Sequence, residues 1–450
     1  MDNSTYVFRE MPVRRAVLSL SIPTVISQII TVIYNMADTF FIGQLNDPNQ
    51  VAAATISMSM FIILTALANL FGIGGASKIS YSLGIGKKET ASKCAAFCFW
   101  TSIAVAFLFG ILIFIFRSIL FPVLGADKDT YDFCCQYTFW TITVGAVPTV
   151  LNAELGHLVR SEGYSKQAGL GVALGGILNI FLDPIFIYVF RLEIAGAAIA
   201  TMLSNVAATA YFLIFIYKIR HETVICVHPK YYSLREKIPF DVIIGGLPSF
   251  IMMMMSSFSN IVLNRLISNY SNAAVAGMGI AKKIDMFSFA VAQGMTQGTL
   301  PLISYNYASN NKKRMNSSIF TTLLYSLIIS SIFTIVLFFF ASPIPKLFIN
   351  DSETAAYGQS FLRIICFICP SSALNFMIIT VFQATKQKIQ PLFLSLLRKG
   401  SIDIILMLIF NKMAGISGIA WASPTADWIA LLISMCLFLP HIKKLNKINS

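Results

Sequence analysis

Two amide–carboxylate pairs have the spacing to do chemistry together. Asn35 and Asp38 stand three apart, and Asn179 and Asp183 stand four apart. On a helix each pair therefore shares one face. Both lie in otherwise apolar stretches, Ile33 to Asp38 and Ile177 to Asp183. Pro184 follows the second pair, removes a backbone donor and leaves the carbonyl of Ile180 open beside it. Two carboxylates, two amides and a loose carbonyl make an oxygen-rich site for a proton or a small hard cation. Ionisable groups in an apolar run are costly and read as functional.

Other charges in apolar runs are less pointed. Lys282, Lys283 and Asp285 interrupt the eighth run, and Lys399 and Asp403 stand four apart beside Arg398 in the eleventh. They read either as intrahelical pairs that soften insertion or as the lining of a cavity between two halves. Glu154, late in the fourth run, either attracts a cationic substrate or sits near the cytoplasmic headgroups. Met252 to Met255 are four in a row and must face all sides, so packing accounts for most of them.

Enzyme chemistry finds little support. The four histidines form no spaced ligand set and none lies convincingly inside an apolar run. The eight cysteines are scattered, and the Cys366-x-x-Cys369 pair sits in an apolar run, where small buried hydrophobes are expected. No cofactor is expected beyond a coupling ion.

The elements that must hold these residues follow from composition. The chain is 56% hydrophobic and 12% charged, against about 25% charged in soluble domains. A transmembrane helix needs about 20 mostly apolar residues, and twelve stretches qualify. They are 16–41, 51–76, 94–116, 136–156, 168–190, 195–217, 240–264, 274–298, 318–340, 359–381, 391–411 and 416–438. They are too long and continuous for barrel strands, so the fold class is an all-α membrane protein. The first run has no signal-peptide cleavage pattern and reads as the first helix.

The net charge of +13 suits topology rather than nucleic acid. Lys and Arg concentrate in alternate loops, such as Lys87-Lys88, Lys312-Lys313-Arg314 and the long basic stretch 218–239. The other set of loops holds only Arg117, Lys128, Arg191, Arg265, Lys346 and Lys412. The positive-inside rule then places both termini in the cytoplasm of a multi-pass cell-membrane protein.

The chain also repeats. Pro23 and Asn35 match Pro248 and Asn260, and Ile79-Ser80-Tyr81 matches Ile303-Ser304-Tyr305, each followed by a Lys-Lys pair. This predicts a six-helix lobe over 1–217, a cytoplasmic linker over 218–239 and a second six-helix lobe over 240–450. Each half has an even number of helices, so the bundles are related by a pseudo-two-fold axis along the membrane normal, with substrate between them. Asp38 aligns with Leu263 and the eleventh run has no Asn-x-x-x-Asp. The acid pair is therefore an addition to one half, as a coupling site would be.

The chain resembles the multidrug and toxic compound extrusion (MATE) family, in the branch that includes DinF-like and MepA-like pumps. The resemblance rests on Pro23 with Tyr34-Asn35-Met36-Ala37-Asp38-Thr39, Arg160-Ser161-Glu162-Gly163, Leu178-Asn179-Ile180-Phe181-Leu182-Asp183-Pro184, and Gly196-Ala197-Ala198 before Ala200-Thr201. It implies a V-shaped two-lobed fold, alternating access, and export of cationic lipophilic drugs and dyes driven by proton or sodium entry. It also implies a cation site, for a proton or sodium ion, at Asp38, Asn179, Asp183 and Thr201. Pro23, Asn35, Glu154, Asn260, Lys282 and Arg398 are expected to line or gate the substrate cavity. Small organic cations and the lipid bilayer are the expected partners, nucleic acid is not, and a monomer is expected. The competing reading is a lipid-linked oligosaccharide flippase of the related superfamily, which would need a strongly basic central cavity.

Overall fold

In lipid, every backbone donor and acceptor must be satisfied within the spanning segment, so apolar runs of this length become helices. The computed structural model describes residues 6–45, 47–349 and 351–447, and it is helical with no strand among them. The twelve apolar runs correspond to twelve long elements. They are α1 (Val13–Gly43), α2 (Pro48–Gly84), α3 (Lys88–Val123), α4 (Lys128–Thr138 and Ala146–Ser161), α5 (Ser165–Pro184) and α6 (Glu193–Lys218). The second six begin with α7 (Ile238–Ile267), α8 (Asn272–Ala308), α9 (Lys312–Phe339) and α10 (Ser352–Ile365 and Ile368–Ala384). Then α11 starts as Ile389–Leu396, passes through a π turn at Leu397–Ser401 and runs into Ile402–Lys447. That last stretch leaves helical geometry at Ala414 and at Gly415 (φ 58°), and the part beyond the break is α12.

Seven of the described helices are long and apolar enough alone to cross a membrane, and α4 and α10 qualify when each bent pair, 51° and 44°, is taken as one span. Phe107, Ile115 and Ile119 on α3, Phe181 on α5 and Ile332 on α9 are exposed. Apolar surface on that scale suits lipid rather than water.

The helices pack into two compact units. Ile26–Phe250, with the described residues before Pro12, forms unit 1; Pro12–Val25, with the described residues from Ile251, forms unit 2. A division by chain order, 1–217 against 240–450, differs from this at α1 and α7, whose first halves each join the other unit.

Close helix crossings give the reason. In unit 1 a Cβ on Gly74 of α2 would strike the carbonyl of Val242 on α7, and one on Gly246 would strike the carbonyl of Leu70. In unit 2 a Cβ on Gly298 of α8 would stand 2.7 Å from the carbonyl of Leu20 on α1. Helices that lack a hydrophobic drive in lipid associate through such backbone approaches. Gly74 and Gly298 stand at the same offset as Ile79 and Ile303, so the two crossings are images of each other in the repeat.

Candidate functional site

The site in unit 1 is assembled where α5 comes close to two neighbours. Gly175 faces α6, with Ala208 Cβ 3.1 Å from where its own Cβ would be, and Gly176 faces Ile30 and Tyr34 of α1 at 2.9 Å. Larger side chains there would hold the three helices apart. Pro184 ends the regular part of α5, and the chain continues through a π turn, Ile185–Val189. Such turns recur at functional sites because they re-aim the side chains around them.

This packing brings three of the four expected cation-site residues into direct contact. Asn179 Nδ2 donates to Asp183 Oδ1 at 3.1 Å and lies 3.3 Å from Thr201 Oγ1. All three are buried, and Asp183 is 0% exposed. Asp38 on α1 is half-buried and accepts a long bond, 3.5 Å, from Tyr137 Oη on α4. Asp38 and Asp183 lie within electrostatic reach of each other, and Tyr137 senses both. The polar string continues inward: Asn205 Nδ2 donates to the Thr201 carbonyl at 3.0 Å, and Asn152 Nδ2 donates to Asn205 Oδ1 at 2.9 Å.

What these groups leave unpaired matters more than what they pair. Asp38 Oδ1, Asp183 Oδ2 and Asn179 Oδ1 are buried acceptors without a hydrogen-bond partner. Unpaired buried polar atoms are rare and call for an explanation. Three oxygens, two of them carboxylate, suit a proton or a small cation such as sodium, which needs acceptors and no donors.

The remaining expected residues are spread out. Pro23 lies within the uninterrupted helix α1, in the part that packs in unit 2. Asn35 is half-buried in unit 1 and Asn260 is exposed in unit 2. Glu154 is fully buried in unit 1, where Ser102 Oγ of α3 donates to its Oε2 while Oε1 has no partner. His157, one turn on and just past the 136–156 run, is buried inside α4. Arg160 Nη1 stands 3.2 Å from its Nδ1 and Asn69 Oδ1 3.1 Å from its Nε2. An arginine can only donate, so Nδ1 accepts and Nε2–H donates to Asn69.

Unit 2 holds a buried charge cluster. Arg398, 1% exposed, donates from Nε and Nη2 to the two oxygens of Asp427 at 2.9 and 3.1 Å, touches Ser372 Oγ, and lies over the Phe376 ring at 4.6 Å. Asp427 on α12 is absent from the sequence reading. It is a single acid between Pro424 and Trp428, with its partner 29 residues away and no local mark of pairing. The intrahelical Lys399–Asp403 pair read from four-residue spacing does not form. Lys399 Nζ approaches Asp427 at 3.8 Å, and Asp403 accepts from Ser259 at 2.6 Å and Ser423 at 2.9 Å. The π turn at Leu397–Ser401 adds to the turn between them and rotates the two side chains apart. Lys282 and Asp285, on the continuous helix α8, are half-buried beside this cluster.

Comparison with known proteins agrees with both the fold and the repeat. The MatE family pattern matches residues 23–185 and again 248–409, beginning each time at a proline of the repeat. Over 436 residues the chain is 28% identical to the multidrug export protein MepA of Staphylococcus aureus (strain MSSA476), covering 97% of this chain and 96% of that one. It is 27% identical, with the same coverage, to MepA of Staphylococcus saprophyticus subsp. saprophyticus. The structure superposes on a crystal structure of MATE in complex with MaL6 with a TM-score of 0.93 at 24% identity, covering 99% of this chain and 100% of the other. With the family pattern present in both halves, the chain belongs to the MatE family of membrane transporters.

Proposed function

We propose that this chain is a multidrug exporter that expels cationic lipophilic compounds in exchange for protons or sodium ions. The carrying observation is the set of three unpaired buried oxygens at Asp38, Asn179 and Asp183, with Thr201 adjoining Asn179. An ionised acid in that place attracts a cation, and a bound proton or sodium ion weakens the attraction. Arrival of the coupling ion then favours drug release and biases the access states, since an ion moves such an equilibrium only through differential affinity. Pro23 and Pro184 are the bending points of this account. The MepA relatives are named as multidrug export proteins, which supports drug export.

The protein acts as a monomer in the cell membrane, with both termini and the 218–239 linker in the cytoplasm. The basic flippase cavity is the less supported alternative, because Arg398 is neutralised by Asp427 within unit 2. Uptake of a fluorescent cation by everted vesicles under an imposed pH or sodium gradient tests the proposal. Uptake that ignores both gradients would overturn it.

A further inference from the structure

The 218–239 linker is pinned along the helices of unit 1. The Val224 N–H donates to Glu162 Oε1 at 2.6 Å, Trp100 Nε1 of α3 donates to the Val227 carbonyl at 3.0 Å, and the Tyr232 ring lies 6.1 Å from that of Phe97. Val224 and Ile225 are buried in one apolar cluster with Phe97 of α3 and Phe212 of α6.

Trp100 sets the depth of this segment. On α3, Cys94 to Phe99 are buried, whereas Phe107, Leu108, Ile115, Ile119 and Val123 beyond Trp100 are exposed. From Trp100 to Val123 the helix rises about 35 Å at about 1.5 Å per residue, close to the hydrocarbon thickness of about 30 Å. The linker therefore borders α3 where its lipid-facing surface begins, at the level of the headgroups. Tyr217, 67% exposed in the last turn of α6, is a second marker of that level, since Trp and Tyr collect there.

What the linker turns outward suits that place. Lys218, Arg220, Lys230, Arg235 and Lys237 are exposed, and none is ion-paired among the described residues. Against them stand Glu222, which is exposed, and Glu236, which Thr90 and Lys93 already hold. Tyr231, Tyr232 and Leu234 are exposed between the cations, and the Arg220 guanidinium lies over the Tyr217 ring at 4.4 Å. Loop orientation accounts for the cations alone. It does not account for exposed aromatic side chains among them at the depth of Trp100. Cations beside amphipathic rings match a phosphate above an acyl chain.

We propose that the 218–239 linker is a binding surface for anionic phospholipid, with headgroup phosphates on Arg220 and Lys230 and the rings of Tyr217 and Tyr231 at the acyl boundary. The proposal needs only the membrane-spanning fold, so it stands or falls apart from drug export.

The test counts lipids on the purified full-length chain by native mass spectrometry from detergent. Phosphatidylglycerol and phosphatidylcholine with the same acyl chains are compared. The chain should prefer phosphatidylglycerol. That preference should fall about fivefold in Arg220→Gln and in Lys230→Gln, the loss expected for one cation at the membrane surface. Lys230→Arg should keep it, as should Lys128→Gln on an exposed helix start away from the linker. On the unmutated chain, phosphatidylglycerol should protect Lys218 and Lys230 from acetylation and leave Lys128 reactive, a measurement that needs no variant to fold. Equal binding of the two lipids, an unchanged preference in both Gln variants, or protection by phosphatidylcholine to the same extent overturns the surface.

Discussion

Asn179 donates to Asp183 Oδ1 from one helical turn away and leaves Asp183 Oδ2 without a partner. The amide holds the carboxylate in one orientation while keeping one of its oxygens open. It also bonds Thr201 of α6, so it ties two helices to the site. Asn179→Ala should therefore slow gradient-driven efflux about five- to a hundredfold, the size of two lost buried hydrogen bonds. Tyr137→Phe, which removes only the long 3.5 Å bond to Asp38, should cost less. Initial rates of dye efflux from energised cells rank the two variants.

The Arg398–Asp427 pair should dominate the stability of unit 2. Its partners are each 1% exposed, so removing one strands the other without solvent. Asp427→Ala should destabilise the protein by about 3–5 kcal/mol, whereas replacing both partners with apolar residues of similar volume should recover most of that. Thermal unfolding in detergent distinguishes these outcomes; a single variant as stable as the parent would contradict the account.

The helix crossings should be intolerant of bulk. A Cβ at Gly298 meets the Leu20 carbonyl at 2.7 Å, and overpacking of this kind typically costs about 1–3 kcal/mol. Gly298→Val should lower the melting temperature clearly. Gly279→Val, where nothing lies within 4 Å of the added Cβ, should not.

Glu236 ties the 218–239 linker to α3. The Thr90 hydroxyl and the Lys93 ammonium, at 2.8 and 3.0 Å, hold its carboxyl below the usual carboxylate range. A group with a depressed folded value contributes above its unfolded value and loses that contribution as pH falls through the folded one. The tie should thus be intact at neutral pH and release only below the ordinary glutamate value of 4.5. It should also weaken in high salt, since Glu236 is exposed and Lys93 only half-buried. Hydrogen exchange of the linker amides should be flat from pH 7 to about pH 5 after correction for intrinsic rates, and Glu236→Gln should raise it throughout.

Much of this arrangement is legible in the sequence, and what is not has physical reasons. The Asn179–Asp183 spacing forms a real contact because α5 is regular up to Pro184. The repeat of Pro23 and Pro248 is matched by paired glycine crossings. Lys399 and Asp403 have equally suggestive spacing, but a π turn shifts hydrogen bonding by one residue and leaves no mark in composition. Asp427 and Tyr137 go unseen because each meets its partner across helices, 29 and 99 residues away. The exchange of the first halves of α1 and α7 between units is likewise invisible to hydropathy, which reads each helix as one run.

The most direct test of the central claim replaces Asp183 by Asn, which keeps shape and hydrogen bonding while removing the charge. Reconstituted in vesicles, Asp183→Asn should reach parental levels of folded protein and bind dye, yet show no uptake when a pH or sodium gradient is imposed. Asp403→Asn, in unit 2, should be milder under the same gradients. Uptake by Asp183→Asn at the parental rate would contradict coupling through unit 1.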